Sequence, residues 1–189
     1  FTLPEGRSVD DGVLFHRSVL FNPELRECFA AAKIQAFIPC GGFKDTINGD
    51  NVLQFLELFP DLRVIVEGAN VFFNDKAREV ISQRSNILQI RDSSANKGGV
   101  TSSSLAEVLP ALLLGERYEE IMVNNTACRT GLIRSLFEII SQNAESEARI
   151  LLALREKTGE PLYQLSRRTS EQLLTLQKRL YQMIESLVA

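Results

Sequence analysis

The chain has 189 residues, 44% of them hydrophobic, with 21 basic and 24 acidic side chains and a formal net charge of −3. A chain of this length buries roughly 70% of the surface it exposes when unfolded, enough for a real core, which excludes a disordered polymer. The slight acidity and the absence of Trp leave no basic face for a phosphate backbone and no aromatic platform for bases, so nucleic acid is not expected as a partner.

In chain order, the "PEG" and "DDG" turns around Val13 and Phe15 suggest a small hairpin. Asn22 followed by Pro23 marks a helix start, because Pro at the first helical position gives up a donor that has no partner there anyway. Leu25, Phe29 and Ala32 then recur on one face. "QAFIPCGG" is a short apolar run halted by Pro39 and two glycines, the pattern of a buried strand that empties into a loop. Helical spacing returns from Asp50, with Val52, Leu53, Leu56 and Phe59 ahead of Pro60.

"RVIVEGAN" is a second strand and loop. Asn74 is placed to cap a helix carrying Ala77, Val80 and Ile81, and "NILQI" is a third strand. It empties into "DSSANKGGVTSSS", residues 92–104. Strand, loop and helix thus alternate three times, the pattern of β-α-β crossovers in a parallel sheet. Ser104 with Glu107 forms a capping-box pattern ahead of Leu105, Val108, Leu109, Leu112 and Leu113, which places Ser103 at a helix start.

From Arg117 onward only helical patterns occur, with Leu132, Leu136, Ile139 and Ile140 on one face and a break at "KTGEP". Leu173, Leu176, Leu180, Met183 and Leu187 follow at alternating spacings of three and four. Two heptads are short for a coiled coil, so this seam is expected to pack within the protein rather than to pair with another chain.

Several classes of chemistry are disfavoured. The longest apolar runs, such as residues 150–154, fall short of the roughly 20 residues needed to cross a bilayer, and a soluble domain is expected. Cys28, Cys40 and Cys128 form no C-x-x-C pair and read as reduced intracellular thiols. No nucleophile motif points to His16, the single histidine, and no metal-ligand set is present. The opening "FTLPEG", without an initiator or signal-like run, reads as part of a longer polypeptide.

Ligand-binding loops of a parallel sheet lie at the carboxyl ends of its strands, which selects "PCGG", "EGAN" and residues 92–104. Gly98 and Gly99 permit close approach of a flat ligand and tolerate positive φ. A hydroxyl at Ser103, at a helix start with unpaired N–H groups, suits a carboxylate; the bland alternative is that the serines only cap and the glycines only turn. The amides of Asn70 and Asn96 each donate and accept, as a carboxamide or ribose hydroxyl requires, though each is also a common turn residue. Glu67 is a candidate general base, with a capping or salt-bridge role favoured, and Cys40 is expected to be a packed small side chain. Neither a G-x-G-x-x-G nor a phosphate-binding P-loop occurs, so the pattern is half of a nucleotide site.

"FIPCGG", "IVEGAN" and "DSSANKGGVTSSS", in this order, resemble the C-terminal part of the large NAD-specific glutamate dehydrogenases of fungi and protists. The resemblance is close over roughly residues 10–115. It implies the C-terminal half of a Rossmann-like NAD domain over residues 1–115, with a parallel sheet and flanking helices, and a helical C-terminal region over residues 116–189. The implied reaction is NAD-dependent oxidative deamination of L-glutamate to 2-oxoglutarate and ammonia. Asn70 and Asn96 would contact the nicotinamide and its ribose, and Gly98, Gly99 and Val100 would lie beside the nicotinamide ring. Ser103 would hold the substrate carboxylate, and Pro39, Cys40 and Gly41 would line the adenosine side.

The catalytic lysine and aspartate of such enzymes, and their glycine-rich turn, would lie upstream in a missing N-terminal part. The fragment alone is therefore expected to be inactive, and its parent to be a homo-oligomer in the cytoplasm or mitochondria. Ala106 is one residue more than the family's Ser-Ser-Ser-Leu-Glu-Val run, and an inserted residue turns a helix face by about 100°. The competing reading is a non-catalytic Rossmann-like module whose helical tail drives assembly. A leucine or phenylalanine dehydrogenase fits less well, since those substrates need an apolar pocket in place of Ser103.

Overall fold

The computed structural model describes residues 26–84 and 86–188. The expected hairpin, His16, Leu25 and the Asn22–Pro23 helix start lie outside them. The chain forms two compact units that divide between Asp92 and Ser93.

In the first unit, helix α1 (Arg26–Ala31) precedes strand β1 (Ala36–Phe37), helix α2 (Val52–Leu58), strand β2 (Val64–Val66), helix α3 (Asp75–Ser82) and strand β3 (Leu88–Ile90). The strands form a parallel sheet in the order β1-β2-β3, with Phe37 opposite Ile65 and Ile65 opposite Gln89. This is the parallel β-α-β arrangement that the strand spacing implies, and it is consistent with the partial Rossmann-like α/β fold that the resemblance implies. A further parallel bridge joins Ile47 to Phe73.

The core is aromatic at its centre. Phe55, Phe72 and Phe73 are fully buried, and Phe55 lies edge-on to Phe37 and Phe73 with ring centroids 5.0 and 5.5 Å away. Edge-to-face rings bring the positive rim of one onto the negative face of the next, adding about 0.5–1.5 kcal/mol per pair beyond area burial. Helix α2 buries Val52, Phe55, Leu56 and Leu58. Leu53, expected inside, is 58% exposed, because its position lies a full helical step around from Val52. Asn74 caps α3 as its sequence suggests: its Oδ1 accepts the N–H of Ala77 at 2.8 Å.

The second unit is helical. Helices α4 (Asp92–Ala95), which begins at the boundary residue, and α5 (Gly98–Ser102) lead into a π-helical turn (Ser103–Val108) and helix α6 (Leu109–Leu114). A 3-10 turn (Gly115–Arg117) and a second π-helical turn (Glu119–Asn124) precede the long helices α7 (Thr126–Thr158) and α8 (Leu162–Val188). Gly159 ends α7 in the left-handed region, φ 72°, with its N–H on the carbonyl of Arg155, so the break at "KTGEP" falls where the glycine and proline place it.

One packing expectation fails in this unit, and a further apolar face is open. Leu112 and Leu113 are 78% and 75% exposed, whereas Leu105 is half-buried. The seam on α8 is also uncovered: Leu173, Leu176, Leu180, Met183 and Leu187 are all exposed, and the buried contacts of α8 are confined to Leu162, Tyr163, Leu165 and Ser166 in its first turns. Helical pattern alone reports which residues share a face, not whether a partner covers it. The helical run Asp92–Arg117, 26 residues, is moreover long and apolar enough by length and composition to cross a membrane, although its unbroken apolar segment is short.

Candidate functional site

At the carboxyl ends of β1 and β2 the first two loops meet. The N–H of Ala69 donates to the carbonyl of Pro39 at 2.7 Å, and a Cβ placed on Gly68 would lie 3.0 Å from that oxygen and 3.3 Å from Cys40 Sγ. Gly68 is therefore the residue that lets "PCGG" and "EGAN" touch. Pro39 is buried, and Gly41 and Asn70 are exposed. Cys40, expected to be packed, is exposed, with Sγ donating to the carbonyl of Ile38 at 3.6 Å on the outer side of its loop's contact with Gly68.

Directly beneath this rim lies a buried charge cluster. Glu67, with no exposed surface, accepts two bonds from Arg78, at 2.6 Å from Nη2 and 3.0 Å from Nε, and a third from Gln89 at 2.9 Å. Arg78 also donates to Asp75 at 2.8 Å and lies 3.6 Å from Asp92. Glu67 is thus a salt-bridge residue, as favoured from the sequence, and its carboxylate is spoken for. Burial pushes its pKa up, a shift that Arg78 and Gln89 oppose. For Arg78, burial opposes the charge, but the bonds to Glu67 and Asp75 more than offset it and the net shift is upward.

The sequence reading missed Arg78 and Asp92. Arg78 occupies the inward stripe of α3 between Ala77 and Ile81, and a charge within an apolar stripe is the one local sign of a buried ion pair. Asp92 left no such sign. It accepts the N–H of Val71 at 2.8 Å across 21 residues of chain, a contact visible only once β2 and β3 are neighbours.

The third expected loop is helical. Lys97 precedes α5 without capping it, and Gly98 and Gly99 stay out of the left-handed region. Thr101 Oγ1 donates to the carbonyl of Lys97 and Ser102 Oγ to that of Gly99, so two hydroxyls expected to serve a ligand satisfy their own helix. Ser103 is not at a helix start: it has φ −61° and ψ −42°, and its N–H bonds back to the carbonyls of Gly99 and Val100. The anion-binding argument from unpaired N–H groups therefore does not hold there, although the residue is exposed.

Around this segment, Ser93 Oγ lies 3.2 Å from Ser166 Oγ, and Ser94 also bonds Ser166. Lys97 Nζ pairs with Glu147 Oε2 at 2.6 Å. The first turns of α8 and the middle of α7 thus anchor residues 93–97. Gly98 faces Ile140, 3.5 Å from where its Cβ would be, whereas a Cβ on Gly99 would meet nothing within 4 Å. Val100 is 74% exposed and Asn96 half-buried. The π-helical turn begins at Ser103 and spans Ala106, taking up one extra residue in a single turn. The candidate residues thus form two groups, Pro39, Cys40, Gly41 and Asn70 in the first unit and Asn96, Gly98, Gly99, Val100 and Ser103 in the second.

Comparison with known proteins gives these groups a context. The chain is 35% identical over 181 residues to "Glutamate dehydrogenase 2" of Dictyostelium discoideum, a match covering 92% of this chain and 16% of that protein. It is 33% identical over 186 residues to "Probable NAD-specific glutamate dehydrogenase" of Schizosaccharomyces pombe, covering 95% and 16%. It is 32% identical over 177 residues to "NAD-specific glutamate dehydrogenase" of Saccharomyces cerevisiae, covering 89% and 16%. The chain thus spans only a small part of the length of these relatives. Residues 10–154 match the family model described as Glutamate/Leucine/Phenylalanine/Valine dehydrogenase, and the chain belongs to that family.

Proposed function

We propose that this chain is the C-terminal cofactor half of an NAD-dependent dehydrogenase that converts L-glutamate to 2-oxoglutarate and ammonia by oxidative deamination. The observation that carries the reading is the junction of the two rim loops through Ala69, Pro39 and Gly68 at the carboxyl ends of neighbouring parallel strands, where this fold class binds its ligands. The relatives' names, NAD-specific glutamate dehydrogenase, supply the cofactor and the substrate.

Bound NAD would supply the hydride acceptor. The chain's own residues would bind and orient: Pro39, Cys40 and Gly41 along the adenosine side, Asn70 and Asn96 at the nicotinamide and its ribose, and Gly98, Gly99 and Val100 beside the ring. The open space over Gly99 fits a flat group laid against the helix. The exposed hydroxyl of Ser103 would hold the substrate's side-chain carboxylate, as a hydrogen-bond donor and not through a helix end. Positioning of this kind lowers barriers by up to about 7–11 kcal/mol when both reactants are held. In this reading residues 1–115 belong to the cofactor domain and residues 116–189 to a helical C-terminal region. The chain alone is inactive, because the proton-relaying lysine and aspartate lie in the rest of a homo-oligomeric cytoplasmic or mitochondrial enzyme.

Replacing Ser103 by Ala in the full-length enzyme is expected to raise the KM for glutamate about tenfold to a hundredfold, the worth of one hydrogen bond to a charged group, and to leave the KM for NAD unchanged. An unaltered glutamate KM removes Ser103 from the substrate site.

The uncovered seam of α8 favours a second role, assembly. Removal of residues 160–189 from the 189-residue chain is expected to lower the mass measured by light scattering; a mass that stays at that of an unassociated chain with and without the segment rejects that role.

A further inference from the structure

Val71, immediately after the candidate nicotinamide contact Asn70, has φ 52°. A β-branched residue in the left-handed region is a strained outlier, costly enough to persist only where its surroundings over-determine it. Here both backbone polar groups of Val71 are held: its N–H by Asp92 Oδ2 at 2.8 Å, its carbonyl by the N–H of Asp45 at 2.7 Å. The two holders differ in kind. Asp45 offers only backbone, whereas Asp92 offers a carboxylate that is itself fixed, 3.6 Å from buried Arg78 Nη2 and 3.3 Å from Arg91 Nε. Arg91 reaches Asp75 as well, at 3.4 Å, and Arg78 ties both acids to Glu67 at the root of the same loop.

Glu67 and Val71 thus bracket residues 68–70, and both ends are pinned to one rigid set of charges. A charge-assisted bond to a fixed acceptor is about twice as strong as a neutral one, which suits it to holding a turn against its own strain. A glycine at position 71 would adopt this conformation without the strain. With valine in its place, the turn's geometry leans on the bond from Asp92.

We propose that Asp92 is a positioning residue for cofactor binding: through the Val71 N–H it holds the strained turn that aims Asn70, with Arg78 and Arg91 fixing its carboxylate. The inference rests on the reading that Asn70 contacts the nicotinamide side of NAD.

The test is NAD titration of the full-length enzyme, followed by fluorescence, with steady-state kinetics for both substrates. Asp92→Asn is expected to weaken NAD binding about tenfold while the KM for glutamate changes less than twofold. Adding Val71→Gly to Asp92→Asn is expected to restore affinity to within about threefold of the wild type, since the turn then needs no clamp. A merely structural aspartate would not be rescued by relieving strain 21 residues away in sequence. Wild-type affinity in D92N, or a double variant no better than D92N, overturns the inference. Should D92N fail to fold, the double variant is the readout: folded with near wild-type affinity is expected, and unfolded overturns it.

Asn70→Ala separates this inference from the reading beneath it. If N70A weakens NAD binding and D92N does not, the Asp92 clamp alone is wrong. If N70A binds NAD normally, the assignment of Asn70 fails and the clamp, as stated, fails with it.

Discussion

Arg78→Met lowers the stability of the 189-residue chain by about 3–5 kcal/mol at neutral pH, the usual cost of stranding one partner of a buried ion pair. Methionine fills much of the volume of the arginine stem, so the loss reports charge and not a cavity. What is stranded is Glu67, without exposed surface and left with Gln89 as its donor. Its carboxyl, already raised by burial with Arg78 present, loses the principal group opposing that shift and rises further. The sign of the pH dependence follows. A group whose folded pKa lies above its unfolded value contributes stability below the unfolded value and loses it as pH rises through the folded one. The deficit of the variant therefore shrinks on acidification, where Glu67 is buried neutral. Urea unfolding at neutral and at mildly acid pH measures both values, and an equal deficit at the two contradicts the account. The double replacement Glu67→Leu with Arg78→Met should recover most of the loss, because an apolar pair of similar volume needs no compensation.

A loss of similar size is expected from Phe55→Ala, about 3–5 kcal/mol. Phe55 is fully buried and its ring touches those of Phe37, Phe59 and Phe73, at centroid separations of 5.0, 5.2 and 5.5 Å. Its removal takes away transfer free energy and leaves a cavity that the surrounding rings cannot collapse to fill. Leu53→Ala, two positions away on the exposed face, should stay within about 0.5 kcal/mol of the wild type. Thermal and urea unfolding of the two variants side by side check this, and comparable losses would mean that the face of α2 is misassigned.

The three strands, the helices between them, the Asn74 cap and the Gly159 break were all legible in the sequence, because each depends on residues within a few positions of one another. The salt-bridge role of Glu67 could be favoured for the same reason: a carboxylate at the end of an apolar strand needs a partner. The identity of that partner could not be read, since Arg78 and Gln89 reach Glu67 across 11 and 22 residues through the sheet. Residues 92–104 misled more seriously. Serines, glycines and an asparagine have modest helix propensity and read as a loop, yet contacts from Ser166 and Glu147 hold the segment in helical turns. That tertiary override removes the helix start on which the electrostatic case for Ser103 depended, and leaves the hydroxyl itself. The uncovered faces of α6 and α8 illustrate the converse: periodicity identified them and was silent about what lies against them.

The wide turn over Ser103–Val108 bears on how much change of length this segment tolerates. An additional residue in an ordinary helix would swing every later side chain to a new azimuth and demand compensating changes all along it. Within this turn the N–H of Leu109 reaches back five residues to the carbonyl of Ser104, one more than an α turn holds, so a surplus residue has somewhere to sit without rotating Leu109 and its successors. A change of length by one residue here is thereby confined to the turn, leaving the helices on either side of it free to keep their faces.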